Sequence, residues 1–317
     1  MEIVILDGCA VNPGDLSWND IEKFGNLTVY DNTPEELIVP RSEDAEAIFV
    51  NRVVLNREII GSLKKLRFVG ALGTGYNMID LDACREKGVT VCNIPDYSTM
   101  SVAQHVFALI LHFTNSPASF HSAVLDGKWP GRREMNFLDY HFIELWGKTL
   151  GIIGLGSIGK QVAKIASAFG MNVIATSRTQ TEGIRDGINM ASLEAVLGQS
   201  DILSLNCPLT DQTRGMINEN TIKQMKDGVI LINTSRGPVI DEHALADALN
   251  KGKVRGAGLD VLTSEPPEKS CPLLTAKNCL LTPHIAWATK EARTRLLKIV
   301  AENLEGYLNG KPVNRIV

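Results

Sequence analysis

Short apolar runs alternate with amphipathic stretches along almost the whole chain, and this alternation predicts an α/β protein. Most of the runs are apolar on both faces, as expected of parallel strands that helices cover on both sides. The predicted strands are Glu2–Leu6, Ala47–Val50, Arg67–Ala71, Val89–Cys92, Leu150–Ile153, Asn172–Thr176, Asp201–Leu205, Val229–Asn233, Ala257–Asp260 and Cys279–Thr282. Ten such strands fit two doubly wound parallel sheets better than a single sheet.

Helix periodicity and helix-end signals fill the segments between the strands. One predicted helix has an apolar face formed by Ile158, Val162, Ile165 and Phe169. Another begins after Asp241, a good N-cap residue, and ends near Gly252, while the last runs from Lys290 to Leu308. The segment IPDYSTMS, residues 94–101, is a Pro-, Ser- and Thr-rich connection before a long apolar helix, and we predict a domain boundary there.

Length and charge narrow the class of protein. A chain of 317 residues can form two domains, and a net charge of −4 with interspersed signs argues against nucleic acid as a partner. No apolar run approaches the ~20 residues that cross a bilayer, so no membrane partner is expected. The chain starts directly on a strand pattern, MEIVILDG, and its six cysteines (9, 84, 92, 207, 271 and 279) include no Cys-x-x-Cys pair. These features predict a cytoplasmic protein.

A glycine-rich turn lies between a predicted strand and a predicted amphipathic helix. Its residues are Gly154, Leu155, Gly156, Ser157, Ile158 and Gly159. The first glycine permits a tight turn, the second lets the backbone approach a pyrophosphate, and the third lets the helix pack on the strand. The segment also resembles a nucleoside-triphosphate loop, but Gln161 stands where that loop has the Ser or Thr that holds Mg²⁺. The turn therefore predicts a dinucleotide.

The strand after this turn ends at Ser177, Arg178 and Thr179. In a dinucleotide-binding unit this position faces the adenosine ribose, and an acidic residue there binds the 2′-hydroxyl of NAD. Hydroxyl and guanidinium donors suit a 2′-phosphate instead. A solvated arginine at a strand end is the ordinary alternative. We predict that NADP is favoured over NAD.

Three further segments place polar side chains just after strand ends, where open α/β sheets bind ligands. They carry Arg236, Glu265 and His284. Hydride transfer to a ketone needs a proton donor near neutral pH, which histidine provides. Glu265, bonded to the second ring nitrogen, would fix the tautomer and favour the protonated ring, while Arg236 would polarise the ketone and hold a carboxylate.

Each of these residues also has an ordinary structural explanation. An arginine after a strand can cap a helix, a glutamate beside prolines can be a solvated charge, and a single histidine is more often structural than catalytic. For the other five histidines, at positions 105, 112, 121, 141 and 243, we expect only a structural role. No clustered Cys/His pattern suggests a metal, and none is required.

The segment FVGALGTGYNMID, residues 68–80, adds a glycine turn after an earlier strand. Gly73 and Gly75 would free the backbone N–H groups of Leu72, Gly73 and Thr74 to face an anion. The alternative, an ordinary turn into a helix that starts near Asp80, is equally consistent with the sequence.

Together the motifs LGTGYN, YSTMSVAQH, GLGSIG, NTSRG, DVLTSEPP and PHIAW resemble those of the D-isomer-specific 2-hydroxyacid dehydrogenases, in the same order. The resemblance implies that Arg236, Glu265 and His284 are catalytic and that the Leu72–Thr74 backbone binds a substrate carboxylate. It implies nicotinamide contacts from Asp260 and the loop of Cys207, Pro208 and Leu209. Further implied cofactor contacts are Thr213, Thr234, Ser235, Arg236, His284 and Ala286.

Family architecture implies a Rossmann dinucleotide-binding domain, residues 99–288, inserted in a flavodoxin-like substrate domain, residues 1–98 and 289–317. It also implies a homodimer held by the segment after residue 100. Within the family, YSTMSVAQH and HIAWATKEAR are most similar to glycerate dehydrogenases, also called hydroxypyruvate reductases, and Trp287 would then line the substrate pocket or pack at an interface.

The expected activity is hydride transfer between NAD(P)H and a small 2-keto acid, with hydroxypyruvate/D-glycerate or glyoxylate/glycolate as first candidates. One alternative is a dehydrogenase of another small D-2-hydroxy acid. A second, from a different class, is a dinucleotide-sensing protein like the transcriptional corepressors that resemble this family.

Overall fold

The computed structural model describes residues 1–129, 142–179 and 182–317, so the structural role predicted for His141 falls outside the described residues. The chain divides into two compact units. The first unit comprises Met1–Ser98 and Trp287–Val317, and the second comprises Thr99–Ala286. Each unit has its own sheet and buried apolar clusters.

The first unit is built on a parallel sheet in the order β2-β1-β3-β4-β5. Its strands are β1 (Glu2–Ile5), β2 (Asn26–Val29), β3 (Ala47–Val50), β4 (Phe68–Ala71) and β5 (Thr90–Cys92). Every residue of β3 and β4 is buried, because apolar clusters cover both faces of the sheet. This strand order is the flavodoxin-like, doubly wound one.

The second unit has a larger sheet in the order β13-β12-β11-β10-β6-β7-β9-β8. Its strands are β6 (Thr149–Ile153), β7 (Asn172–Thr176), β8 (Gly183–Arg185), β9 (Ile188–Met190), β10 (Ile202–Leu205), β11 (Val229–Asn233), β12 (Val254–Leu259) and β13 (Cys279–Leu281). The run from β9 through β7, β6, β10 and β11 to β12 is the Rossmann order. Only β8 pairs antiparallel among the described strands.

Helices follow most of the strands, as a doubly wound fold requires. They are α1 (Asn19–Glu22), α2 (Ile38–Ser42), α3 (Arg57–Ser62), α4 (Leu81–Lys87), α5 (Thr99–Asn115), α6 (Pro117–Leu125), α7 (Ser157–Ala168), α8 (Leu193–Gln199), α9 (Glu219–Gln224), α10 (Glu242–Lys251) and α11 (Lys290–Leu308). The Asp241 side chain caps α10 by accepting the N–H groups of His243 and Ala244, and Gly252 ends that helix in the left-handed region. Within the described residues, no helix could span a bilayer.

The predicted fold class, two parallel-sheet α/β domains, is confirmed. The prediction missed β2 and the β8–β9 hairpin. β2 lies at an edge and is only half-buried, so its sequence, NLTV, lacks the continuous apolar run that marked the other strands. The hairpin turns at Asp186 and Gly187, both at positive φ, an Asp-Gly signal typical of two-residue β-turns.

Candidate active site

The glycine turn between β6 and α7 has a close-packed side and an open side. Gly154 has a φ of +96°, and a Cβ on it would lie 2.6 Å from the carbonyl oxygen of Asn206. A Cβ on Gly159 would lie 2.2 Å from the carbonyl oxygen of Gly154, so α7 packs directly on the turn. Gly156 faces the open side, where no atom lies within 4 Å of a Cβ built on it.

The N-terminus of α7 presents donors at this open side. Gly156 is the N-cap residue, and no side chain caps the helix. The N–H groups of Ser157 and Ile158 donate to no acceptor in the part of the chain that the structure describes. Free N–H groups at the positive end of a 12-residue helix form an anion site. This cradle fits the pyrophosphate of a dinucleotide.

Donors also gather at the carboxyl end of β7. Ser177 is half-buried, while Arg178 and Thr179 are exposed. The Ser177 hydroxyl lies 3.5 Å from the Thr179 hydroxyl and 3.5 Å from Nη1 of Arg185. Arg185, at the end of β8, is a cation that sequence reasoning missed. The Asp-Gly turn directly after it was the signal that could have placed it beside β7.

The loop after β10 packs against the glycine turn through Asn206 and Cys207. Cys207 is buried, and this burial raises the pKa of its thiol to about 11, so the side chain is neutral near pH 7. The Thr213 hydroxyl donates to the Pro208 carbonyl at 2.7 Å and accepts the N–H of Thr210 at 2.8 Å. These bonds fold the loop and leave the Cys-Pro segment beside the turn.

A buried asparagine shapes the turn that carries Arg236. Asn233, the last residue of β11, accepts the N–H of Ser235 at 3.0 Å and its hydroxyl at 2.8 Å, and donates to the Arg236 carbonyl at 3.0 Å. Thr234 is half-buried in the same turn. The Arg236 guanidinium donates to the Ser235 carbonyl at 2.7 Å. The turn is therefore held by its own side chains.

The same turn packs on the loop after β12, because a Cβ on Gly237 would lie 2.0 Å from the Leu262 carbonyl carbon. That loop carries Glu265, and the structure brings Glu265 together with His284. Oε2 of Glu265 lies 2.6 Å from Nδ1 of His284, and each side chain is 31% exposed. Oε1 of Glu265 accepts the Leu262 N–H at 3.1 Å. With Nδ1 engaged by a carboxylate, Nε2 is the ring nitrogen left to exchange a proton with a ligand. This is the pairing that the sequence predicted for a catalytic acid.

The backbone of His284 lies at a φ of +55° and is fixed from the β12 side. Its N–H reaches the Asp260 carbonyl at 2.8 Å. The Asp260 carboxylate, 1% exposed, accepts the N–H groups of Ile285 and Ala286 at 2.9 and 2.8 Å and the Thr282 hydroxyl at 2.5 Å. Both oxygens are engaged by the protein, and the nicotinamide contact expected of Asp260 and the cofactor contact expected of Ala286 stay predictions.

In the first unit, the carbonyl groups of the loop after β4 accept hydrogen bonds from within the protein. The Leu72 carbonyl accepts the Asn51 amide at 2.6 Å, that of Gly73 accepts the Ile94 N–H at 2.9 Å, and that of Thr74 accepts the Asn93 amide at 2.8 Å. The N–H groups of Gly73 and Thr74 have no acceptor among the described residues.

The expectation for Leu72 is wrong, because its N–H donates to the Val50 carbonyl at 2.7 Å as part of the sheet edge. An anion site on this loop therefore relies on Gly73 and Thr74. Trp287 is half-buried, with its ring 6.3 Å from that of Tyr97, so it packs within the first unit, and its substrate contact stays a prediction.

Among the other histidines, His105 contacts two polar side chains of the segments after β12 and β13. Its Nε2 lies 3.1 Å from the Thr282 hydroxyl and 3.6 Å from Oδ1 of Asp260. His112 packs edge-on against Phe113. No group of three His, Cys, Asp or Glu side chains that could hold a metal ion occurs in the described ranges.

Several known proteins are similar to this chain over nearly its whole length. Residues 107–286 match the family described as "D-isomer specific 2-hydroxyacid dehydrogenase, NAD binding domain". A hydroxypyruvate reductase of Blautia hydrogenotrophica is 46% identical over 318 residues, with 99% of each chain covered. A glycerate dehydrogenase of Methylorubrum extorquens is 38% identical over 284 residues, covering 89% of this chain and 88% of the relative. The solved structure of an acyclic imino acid reductase in complex with NADPH and D-Arg is 33% identical, with a TM-score of 0.89 over 100% of both chains.

Proposed function

The chain belongs to the D-isomer specific 2-hydroxyacid dehydrogenases, and from this membership we propose that it reduces hydroxypyruvate or glyoxylate to D-glycerate or glycolate. The observation that carries the proposal is the 2.6 Å contact between His284 and Glu265. Both residues lie on loops that follow strands of the sheet to which the glycine turn also belongs. The names of the relatives are those of reductases and dehydrogenases, and they lend no support to the corepressor-like alternative.

Three residues of the chain have distinct proposed roles in this reaction. Bound NAD(P)H supplies the hydride to the keto carbon. His284 gives the proton from Nε2 to the keto oxygen, while Glu265 on Nδ1 holds the ring orientation and stabilises its positive charge. Arg236 polarises the keto group and binds the adjacent carboxylate once its guanidinium leaves the Ser235 carbonyl.

The first unit carries a proposed anion site of its own. The N–H groups of Gly73 and Thr74 suit an anion because the carbonyls of the same loop are already bonded. Trp287 is proposed to line the pocket near the substrate side chain. Pocket shape at such positions decides between hydroxypyruvate, glyoxylate and another small 2-keto acid.

For the cofactor, we propose NADP over NAD. Ser177, Arg178 and Thr179 are the donors proposed for the 2′-phosphate, and the neighbouring Arg185 adds a second guanidinium. The acyclic imino acid reductase, whose structure contains NADPH, is a relative that binds the phosphorylated form.

We also propose a homodimer that uses the segment after residue 100. Leu125, Trp129, Phe142 and Trp146 are large apolar side chains of the second unit that are 47–73% exposed, as expected of a surface that a second copy covers. The cytoplasmic location stays a prediction.

The decisive experiment measures kcat/KM for hydroxypyruvate, glyoxylate and pyruvate, each with NADPH and NADH. Turnover of at least one of the first two is expected. His284→Gln should remove most of that activity and leave the Kd for the cofactor nearly unchanged. A folded, cofactor-binding protein that turns over none of the six combinations would exclude the proposed activity.

A further inference from the structure

The segment YSTMSVAQH, residues 97–105, has no part in the chemistry described above, yet two of its residues reach the segment that carries His284. Ser101 and His105 are four positions apart in α5 and so lie on one face of the helix. Ser101 is buried, and its hydroxyl donates to the Ala286 carbonyl at 2.6 Å. This bond fixes the far end of the 284–286 segment.

His105 reaches the same segment through one intermediate. The Thr282 hydroxyl has a single hydrogen, which it donates to Oδ1 of Asp260 at 2.5 Å. The 3.1 Å contact between Nε2 of His105 and that hydroxyl therefore requires His105 to be the donor. The order of donation is His105 to Thr282 to Asp260, and it defines an Nε2-protonated ring.

Asp260 links these side-chain hydrogen bonds to the backbone of residues 284–286. Its two carboxylate oxygens hold the N–H groups of Ile285 and Ala286, and its carbonyl holds the N–H of His284. The carboxylate is 1% exposed, so no solvent replaces a donor that is lost. Removing the donor at His105 should therefore change the hydrogen bonding of Asp260 and, through it, the backbone position of His284.

We propose that Ser101 and His105 are positioning residues, which use one face of α5 to hold the strained turn of His284 in its proton-transfer geometry. This inference rests on the proposed function of His284. A merely structural role for this face of α5 would change stability and leave the chemical step alone, whereas a positioning role lowers kcat with little change in cofactor affinity.

The test compares pairs of variants that differ in one hydrogen-bonding group. His105→Leu removes the donor, while His105→Gln supplies an amide N–H in its place; Thr282→Val removes the relay at nearly constant volume, while Thr282→Ser retains it. His112→Leu, seven residues along the same helix, is the control. For the preferred keto acid we expect kcat to fall at least tenfold in His105→Leu and in Thr282→Val, with the Kd for NAD(P)H within threefold of wild type.

The two conservative variants, His105→Gln and Thr282→Ser, should recover most of the lost kcat. Ser101→Ala should show a smaller loss, and the control should match wild type. If His105→Leu does not fold, the comparison of Thr282→Val with Thr282→Ser decides. A kcat within twofold of wild type in both donor-deleted variants, or no recovery in the two conservative variants, would overturn the proposal.

A second readout does not depend on turnover. In protein labelled with ¹³C-histidine, the ring resonance of His284, assigned by its loss in His284→Gln, should move or broaden in His105→Leu and stay in place in His112→Leu. An inactive wild-type protein would defeat the proposed function and still show this effect. An unmoved His284 resonance would defeat the positioning role alone.

Discussion

The backbone of His284 adopts an unfavourable left-handed conformation, and hydrogen bonds of the neighbouring residues offset its energy. A φ of +55° costs a non-glycine residue about 1–3 kcal/mol. Against this, the buried Asp260 carboxylate accepts two backbone N–H groups of the same segment, and hydrogen bonds to a charged group contribute roughly 1.5–3 kcal/mol each. Two such bonds outweigh the strain, so they can hold the segment with His284 at this φ.

Cofactor choice is a prediction at the same scale. Arg178→Ala should weaken NADPH binding at least tenfold and change NADH binding less than twofold, because the guanidinium contributes mainly by pairing with the 2′-phosphate. Isothermal titration of each cofactor gives the two affinities. Lys164→Ala, which removes an exposed cation from α7, is the control and should change neither. Equal weakening of NADH and NADPH would contradict the phosphate assignment.

Individual site residues could be predicted from the sequence where they directly follow a predicted strand. Arg236, Glu265 and His284 follow three adjacent parallel strands of one sheet, so their neighbourhood could be inferred without coordinates. The contact of His105 could not be predicted, because its partner Thr282 lies 177 positions away in the sequence. The periodicity of α5 also does not distinguish a histidine that makes a hydrogen bond from one that only packs in the core. The N–H of Leu72 was misjudged because the hydrogen bonding between β4 and β3 extends one residue beyond Ala71, where the predicted strand ended.

At the scale of elements, the prediction found ten of the thirteen described strands, including the three-residue β5 and β13, and missed β2, β8 and β9. β10 and β11 are buried throughout, β6 is buried except for its first residue, and β7 is buried at its last two residues; each was predicted to within one residue. β8 and β9 each contain a polar residue among their three residues, so neither shows an apolar run. β9 pairs with β7, and β8 pairs with β9.

The strand–turn–helix element gives a prediction that separates binding from folding. Gly156→Ala should leave the Tm within about 2 °C of wild type, because Gly156 lies at negative φ and its Cβ meets no atom within 4 Å. The same methyl group occupies the space proposed for the pyrophosphate, so the Kd for the dinucleotide should rise at least tenfold.

Differential scanning fluorimetry and cofactor titration measure the two effects. Gly61→Ala is the matched control, since a Cβ there also meets no atom and lies in α3, which carries no proposed ligand contact. Cofactor affinity retained in Gly156→Ala would mean that the open side of the turn is not the binding side.

At the scale of the whole chain, the first unit must hold together two segments that are distant in sequence. Arg293 of α11 is buried and forms two bonds with Asp15, Nη1 to Oδ1 at 2.6 Å and Nη2 to Oδ2 at 2.8 Å. It also donates to the Val11 carbonyl at 3.4 Å. A bidentate pair of this kind connects the N-terminal segment to the last helix more specifically than apolar contact alone.

This pair predicts a pH-dependent stability. The hydrogen bonds from Arg293 lower the pKa of Asp15 below its ordinary value of 3.8. A carboxyl group whose pKa is lower in the folded state stabilises the fold fully above the unfolded-state pKa, and this contribution is lost as the pH falls through the folded-state pKa. Asp15→Asn should therefore lower the Tm by a few degrees at pH 7, since Arg293 is left buried without its counter-charge, and the difference from wild type should shrink at strongly acidic pH.

Thermal unfolding at pH 7 and near pH 3 measures this difference against a matched carboxylate. Asp20→Asn, which removes an exposed carboxylate paired with Lys23, is the control and should leave the Tm nearly unchanged at both pH values. The contrast isolates burial of the cation, because both substitutions remove one negative charge from an ion pair and only Arg293 is buried. A Tm gap between wild type and Asp15→Asn that stays constant with pH would show that the Asp15–Arg293 charge pair does not join the two segments.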